Sequence, residues 1–381
     1  MAPATHAGPG VLWRGPLTDP SGYAAGGRAF VRGLAELGAA VRIEPQAWSP
    51  RTALSAADRA VLSGLMDVDL DRVGARVEHT FPPFADLSSP APLRVLRTMF
   101  ETDRIPAAWV DPCNRADEVW VPTEHNRETF AAAGVDERRL VLVPEPFELD
   151  RLHRDAPPLA LPDAHGTVFL AAFDFSLRKG WDVLIAAWCD AFAAGDDVTL
   201  VLKVWSTSTG MDVGAIHAAI GGHIAAQGHD LARIPDIVLV DDLLSPEGMG
   251  GLYRACDVYV APTRGEGWGR PIMEAMAMGR PAIATGWSGP AEFVDASVGW
   301  PVGHRLVDVP ARAVAEVPVY AGHRWAEPDR DDLAAALQDA HRRPLERAAR
   351  GAAAAARAGL YSHRRVAGAA LARLGAAAVA G

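Results

Sequence analysis

Two glutamates, Glu266 and Glu274, stand with seven residues between them in the stretch TRGEGWGRPIMEAMAMG, residues 263–279. Glycines crowd the first, and a short helix-forming run carries the second. The strand-like DVYVAP leads straight into the loop, Pro271 suits the opening of a helix, and Gly279 suits its close. The first amides of such a helix have no intrahelical partner, and at the edge of a sheet they suit an anion such as a phosphate. Glu274 reads as a first-turn carboxylate favoured by the helix dipole. It can accept hydrogen bonds from both hydroxyls of a vicinal diol such as a ribose. Glu266, on the loop, can orient sugar hydroxyls or stabilise a developing positive charge. Each glutamate alone is most simply a helix-start or solvated loop carboxylate. The glycine loop, the proline, the spacing and the preceding apolar strand coincide here, and together they favour a site.

Further positions have the residue types for the same chemistry. Lys203 interrupts the apolar strand VTLVLKVW, which suggests an anionic partner, because an unpaired buried charge is costly. Gly22, in DPSGYAAGGRAF, lets a phosphate or sugar approach the backbone at the head of the first helix. That segment is not a GxGxxG fingerprint, which argues against a nicotinamide cofactor. Glu101 and Asp103 follow a strand in RTMFETDRIP, and His79 lies near a strand end in VEHTFPP. Trp268, inside the loop itself, is placed to stack on a sugar face.

The elements that must position these residues alternate along the chain. A helix is predicted over residues 24–37 with Gly38 as its stop, and another over EHNRETFAAAG with Gly134 as its stop. AAVRIE, RVLRTMF, EVWVP and RLVLVPEP read as strands. Residues 151–166 are rich in proline and charge and form the best linker candidate. The alternation then restarts with TVFLAAF, the amphipathic GWDVLIAAWCDAFAAG, VTLVLKVW, DIVLVDD, a helix capped by Ser245 and Pro246, DVYVAP and RPAIAT. Such alternation gives α/β architecture, with parallel sheets covered on both faces. Two doubly wound domains are therefore expected, residues 1–155 and 165–355, with a helical tail over 356–381. Ligands bind at the carboxyl ends of such sheets.

Composition narrows the class. The chain has 381 residues, 49% apolar and 22% charged, with a net charge of −10. That length suits two domains, and the acidic balance argues against a nucleic-acid partner. Three widely spaced cysteines suggest neither a zinc site nor a disulfide framework, and point to a reducing, cytoplasmic setting. MAPATHAGPG has neither a basic start nor an apolar run, so it does not read as a secretory signal. No uncharged apolar run is long enough to span a bilayer, which leaves peripheral membrane contact open.

EGWGRPIMEAMAMGRPAIAT closely resembles the EX7E signature of retaining glycosyltransferase family 4. FSLRKGWDVLIAAW is similar to that family's R-K-G segment, and residues 119–148 to the segment that closes its N-terminal domain. The resemblance covers most of residues 94–294. It implies the GT-B fold, two Rossmann-like domains with the active site between them. It also implies transfer, with retention, of a hexose from a nucleotide-diphosphate sugar such as GDP-mannose or a UDP-hexose, with no metal or other cofactor. By this resemblance Glu274 binds the ribose and Glu266 contacts the donor sugar near its reacting carbon. The backbone of Gly267, Trp268, Gly269 and Arg270 meets the diphosphate or sugar, and Arg178 and Lys179 neutralise the departing diphosphate. Leu243 and Leu244 lie where the family frames the base, and His79 and Asp103 where an acceptor binds. Many members have a histidine where this chain has Glu101, a departure that leaves the role of that carboxylate open. A GT-B epimerase and a non-catalytic nucleotide-sugar-binding protein remain alternatives.

Overall fold

A computed structural model describes residues 10–46, 48, 49, 52, 54–206 and 209–380. The chain divides into two compact units. One comprises residues up to Phe100, Arg104–Glu148 and the chain from Leu360 onward. The other comprises Glu101–Asp103 and Leu149–Gly359.

The first unit is built on strands β1 (Gly10–Pro16), β2 (Val41–Gln46), β3 (Val73–His79), β4 (Leu93–Arg97), β5 (Glu118–Val121) and β6 (Leu140–Leu142). They form one parallel sheet in the order β2-β1-β3-β4-β5-β6. The first helix, Gly22–Glu36, starts where Ser21 Oγ accepts the Ala24 N–H at 3.1 Å, two residues before the expected start. It ends before Gly38, which has φ of 84°. The helix His363–Ala380 packs on it so closely that a Cβ on Gly33 would lie 2.6 Å from Ala367 Cβ. Trp13, Phe30, Val77, Val95, Trp120 and Val366 join in one core.

The second unit repeats the plan with β7 (Thr167–Asp174), β8 (Val198–Trp205), β9 (Asp236–Val240), β10 (Val258–Ala261), β11 (Ala282–Thr285) and β12 (Gly299–Val302). Its parallel sheet runs β12-β11-β10-β7-β8-β9. β7 is buried almost end to end, as expected for a strand covered on both faces. The chain passes from β7 out to β9, then returns to the other side of β7 as β10. The β7/β10 boundary is thus the switch point at which open α/β sheets bind ligands.

Residues 151–166, expected as a linker, are part of this unit. Leu159 N–H donates to Gly251 C=O at 2.9 Å, and Gly250 and Gly251 leave room only for backbone against this segment. The expected domain limits at 155 and 165 therefore give way to one at Glu148/Leu149. The tail joins the first unit from Leu360. An antiparallel pair, β13 (His304–Asp308) and β14 (Arg324–Pro328), stands outside the sheet and was not foreseen. β13 is almost wholly exposed, so no apolar alternation marks it in the sequence.

Candidate active site

The residues with the requisite chemistry collect on the loops after β7 and β10. β7 is followed by a single 3-10 turn, Leu177–Lys179, then Gly180, then the helix Trp181–Ala191. Gly180 has φ of 69°, and a Cβ there would lie 1.9 Å from Pro262 C=O, so glycine alone fits this approach to the second loop. Arg264 N–H donates to Arg178 C=O at 2.7 Å, and Arg178 Nη1 donates to Gly265 C=O at 2.7 Å. These bonds bring both cations to Glu266. Lys179 Nζ lies 2.5 Å from Glu266 Oε1, and Arg178 Nη1 lies 3.1 Å from Oε2. Arg178 Nε lies 3.6 Å from Glu101 Oε1, which also accepts the Tyr320 hydroxyl. Arg178, Lys179, Glu266 and Glu101 thus form one ionic cluster, each side chain between 12% and 22% exposed and so within reach of a ligand.

Burial would raise the Glu266 carboxyl, but the charges of Lys179 and Arg178 hold it below the usual carboxylate range. Burial and the Arg178 charge pull the Lys179 ammonium down, against the attraction of Glu266. Burial disfavours the Arg178 charge too, yet Glu266 and Glu101 raise its pKa. Burial and the Glu101 carboxylate push the Tyr320 phenol well up, so it stays a donor at neutral pH.

A second layer fixes the loop. Arg264 is buried and forks onto Asp182 at 2.7 and 3.0 Å and onto Glu327 at 2.7 and 2.9 Å. Its guanidinium also lies 5.4 Å from the Trp325 ring centre. Glu266 N–H donates to Ser288 Oγ at 3.0 Å, and Glu266 C=O accepts from Gly289 N–H at 3.0 Å. Ser288 holds φ of 55°, a left-handed conformation that costs energy and is retained where surroundings enforce it. Arg264, Asp182, Glu327, Ser288 and Tyr320 escaped the sequence reading. Their partners lie far along the chain, and only the apolar setting of Asp182 hinted at a buried ion pair.

The helix carrying Glu274 is Arg270–Ala277, with Gly269 (φ 101°) as its N-cap and Pro271 second rather than first. Glu274 is its fifth residue and lies beyond the first turn, so the expected dipole stabilisation gives way. Burial instead pushes its carboxyl up, opposed by Arg270 at 3.9 Å and by a 3.0 Å bond from Tyr253 Oη. Trp268, expected to face a sugar, is 2% exposed and packs on Phe293. The adjoining Gly267 and Gly269 carry the loop past it. Lys203 is buried in β8, where its Nζ donates to Val204 C=O at 3.3 Å and approaches the Trp205 ring. The nearby carboxylates acting on it belong to Asp241 and Asp242. Leu243 is fully exposed. Asp103, expected at the acceptor, accepts Arg324 N–H at 2.7 Å and pairs with its guanidinium at 3.3 Å.

Gly22 and His79 lie in the first unit, at its own β1/β3 switch point. Gly22 is exposed and opens the first helix. His79, expected near an acceptor, is fully buried under the Tyr23 ring, 5.1 Å away. Neither of its ring nitrogens has a hydrogen-bond partner among the described residues. Burial and the Arg97 charge hold it well below the usual histidine range, hence neutral. Further along the first helix, Gly26 and Gly27 permit close packing. A Cβ on Gly26 would lie 2.2 Å from Glu145, and one on Gly27 2.9 Å from Leu17. Among the described residues, no cluster of three or more His, Cys, Asp or Glu side chains could hold a metal, and no helix is long and apolar enough to cross a membrane.

Residues 165–317 match the family model described as glycosyl transferases group 1. Over 79 residues the chain is 40% identical to the lipopolysaccharide core biosynthesis mannosyltransferase LpsB of Rhizobium meliloti. That match spans 19% of this chain and 22% of LpsB. Similar solved structures include HepE of Anabaena in complex with UDP, with a TM-score of 0.64 and 15% identity, covering 96% of this chain and 100% of that one. Sucrose-phosphate synthase of Thermosynechococcus elongatus aligns with a TM-score of 0.67 and 16% identity, covering 97% of this chain and 100% of that one. These findings support a glycosyltransferase: the chain has the GT-B fold, and its residues 165–317 match the group 1 glycosyl transferases.

Proposed function

We propose that this protein is a retaining glycosyltransferase that moves a hexose from a nucleotide-diphosphate sugar to an acceptor hydroxyl, in glycan or glycoside biosynthesis. The observation that carries the reading is the cluster of Arg178, Lys179, Glu266 and Glu101 at the β7/β10 switch point. In this reading the donor diphosphate takes the two cations from Glu266. The bond from the sugar's anomeric carbon to the diphosphate oxygen then breaks, and the acceptor oxygen bonds to that carbon. The acceptor proton passes to the departing diphosphate, and the electron pair of the broken bond leaves with it. Arg178 and Lys179 oppose the charge that grows there, so no metal is part of the proposal. Glu266 faces the sugar, Glu274 and Tyr253 hold the ribose, and Leu243 covers the base. The acceptor binds the first unit near Gly22 and His79.

The structures of HepE with UDP and UDP-glucose support a UDP-hexose donor, and the mannosyltransferase relative supports mannose as the sugar moved. The proposed setting is cytoplasmic, in keeping with three free cysteines. A thermal-shift comparison of UDP, GDP and their hexose conjugates tests the donor, since a ligand that binds the native state raises its melting temperature. NMR of the product's anomeric signal tests retention. A panel in which none of these nucleotides shifts the melting curve refutes the proposal.

A further inference from the structure

Residues Glu101–Asp103 belong to the second unit, and the insert between β12 and the helix Arg330–Arg342 holds them there one after another. The insert contains β13, the helix Ala311–Glu316, a 3-10 turn at Pro318–Tyr320 and β14. Tyr320 Oη donates to Glu101. Thr102 Oγ1 lies 2.7 Å from His323 Nδ1. Asp103 N–H donates to Arg324 C=O at 3.0 Å, and the Asp103 carboxylate takes the bonds from Arg324 described above. The Tyr320 ring stands 6.4 Å from Trp325, which lies beside Arg264 behind the Glu266 loop. A cavity of about 210 Å³ opens here, lined by Glu101, Arg178, Tyr320, Trp325, Ser176 and Glu316 among others.

A glutamate side chain loses rotamer freedom when it is fixed, so it stays in place only where its contacts are close. Arg178 alone is a loose anchor for Glu101. It approaches at 3.6 Å, while its Nη1 is committed to Gly265 and Glu266. The Tyr320 hydroxyl is the closer contact.

We propose that Tyr320 is a positioning residue for the transfer reaction: its hydroxyl fixes the Glu101 carboxylate against Arg178, where Glu101 acts on the transferred sugar. This rests on the transferase reading above. The insert is then a device that fixes a carboxylate at a place where the resembling family often has histidine.

The test uses the full chain, hydrolysis of UDP-glucose and GDP-mannose read as nucleoside-diphosphate release, and calorimetric binding of UDP and GDP. Tyr320→Phe is expected to lower kcat about tenfold, the scale of one lost positioning bond, and to leave the nucleoside-diphosphate Kd within about twofold. In a Glu101→Gln background the same change is expected to cost nothing further, because coupled residues are not additive. Tyr320→His, which keeps a ring and a donor, is expected to recover part of the rate. Equal losses from Tyr320→Phe in both backgrounds overturn the proposal, as does a wild-type rate in Tyr320→Phe beside a slow Glu101→Gln. Absence of UDP and GDP binding by the wild-type protein refutes the transferase reading and this inference together.

Discussion

Replacing Glu266 by Gln should separate binding from turnover in opposite directions. The carboxylate now holds Lys179 at 2.5 Å and Arg178 at 3.1 Å, and those cations hold it ionised at neutral pH. A diphosphate that takes them must displace this internal counter-ion. Charge-assisted hydrogen bonds are roughly twice as strong as neutral ones, so the Gln oxygen retains about half of one interaction, while its amide nitrogen, a donor, cannot accept the other. With each original bond worth about 1.5–3 kcal/mol, the two changes together release on the order of 3 kcal/mol. Discounting for the partial exposure of all three groups leaves about 1.4 kcal/mol, or roughly tenfold tighter binding of UDP or GDP. Turnover of the donor sugar should fall by about 10²–10³, the scale for removing one group that stabilises developing charge. Calorimetry with nucleoside diphosphates and hydrolysis of the sugar nucleotides measure the two effects separately. Unchanged turnover in Glu266→Gln would refute the catalytic assignment. Weaker nucleotide binding would refute the placement of the diphosphate on these cations.

Gly180→Ala puts a Cβ 1.9 Å from Pro262 C=O at a left-handed φ, a conformation that alone costs about 1–2 kcal/mol. The Arg178–Lys179 turn must then shift, so both the melting temperature and the affinity for nucleoside diphosphates should fall; retention of both would show that the turn adapts freely. Arg264→Met strips buried Asp182 of its bidentate partner and leaves it Arg312 at 3.3 Å, an expected loss of about 3–5 kcal/mol in unfolding free energy. Denaturant unfolding that finds less than about 1 kcal/mol contradicts this account, and adding Asp182→Asn should restore part of the loss. In the first unit, burial opposes the Glu36 charge, but hydrogen bonds from Arg364, His363 and Arg32 hold its carboxyl down to about 2. Its contribution is present above the ordinary glutamate range and is lost as pH falls from about 4.5 toward 2. Glu36→Gln should therefore flatten acid unfolding in that window, and identical acid curves for the two proteins would count against it.

The alternation of apolar runs and helical stretches made both doubly wound units legible, because strands buried on both faces and capped helices mark themselves locally. β7 and the helix after Ser21 are clear cases. The pair β13–β14 was not legible, since the exposed β13 leaves no hydrophobic pattern and the helix Ala311–Glu316 parts it from the largely buried β14. The helix carrying Glu274 was foreseen, but the carboxylate's place within it was misjudged by less than a turn, enough to change which force acts on it. Trp268 was read as a ligand contact from its address in the loop. Its burial depends on Phe293 and Gly289, more than twenty residues away in sequence, whose approach no local pattern encodes.

By itself, then, the sequence determined the fold class, the helix stops at Gly38, Gly134 and Gly279, and the residue types on the two loops, because these follow from periodicity and backbone sterics. Only the tertiary structure decided that Arg178 and Lys179 meet Glu266, that Glu101 joins them through Tyr320, and that Arg264 anchors the loop from behind. Contacts between charged groups depend on distance and burial in space, and residues 101, 178, 266 and 320 share neither a helix face nor a strand register through which the sequence could announce them.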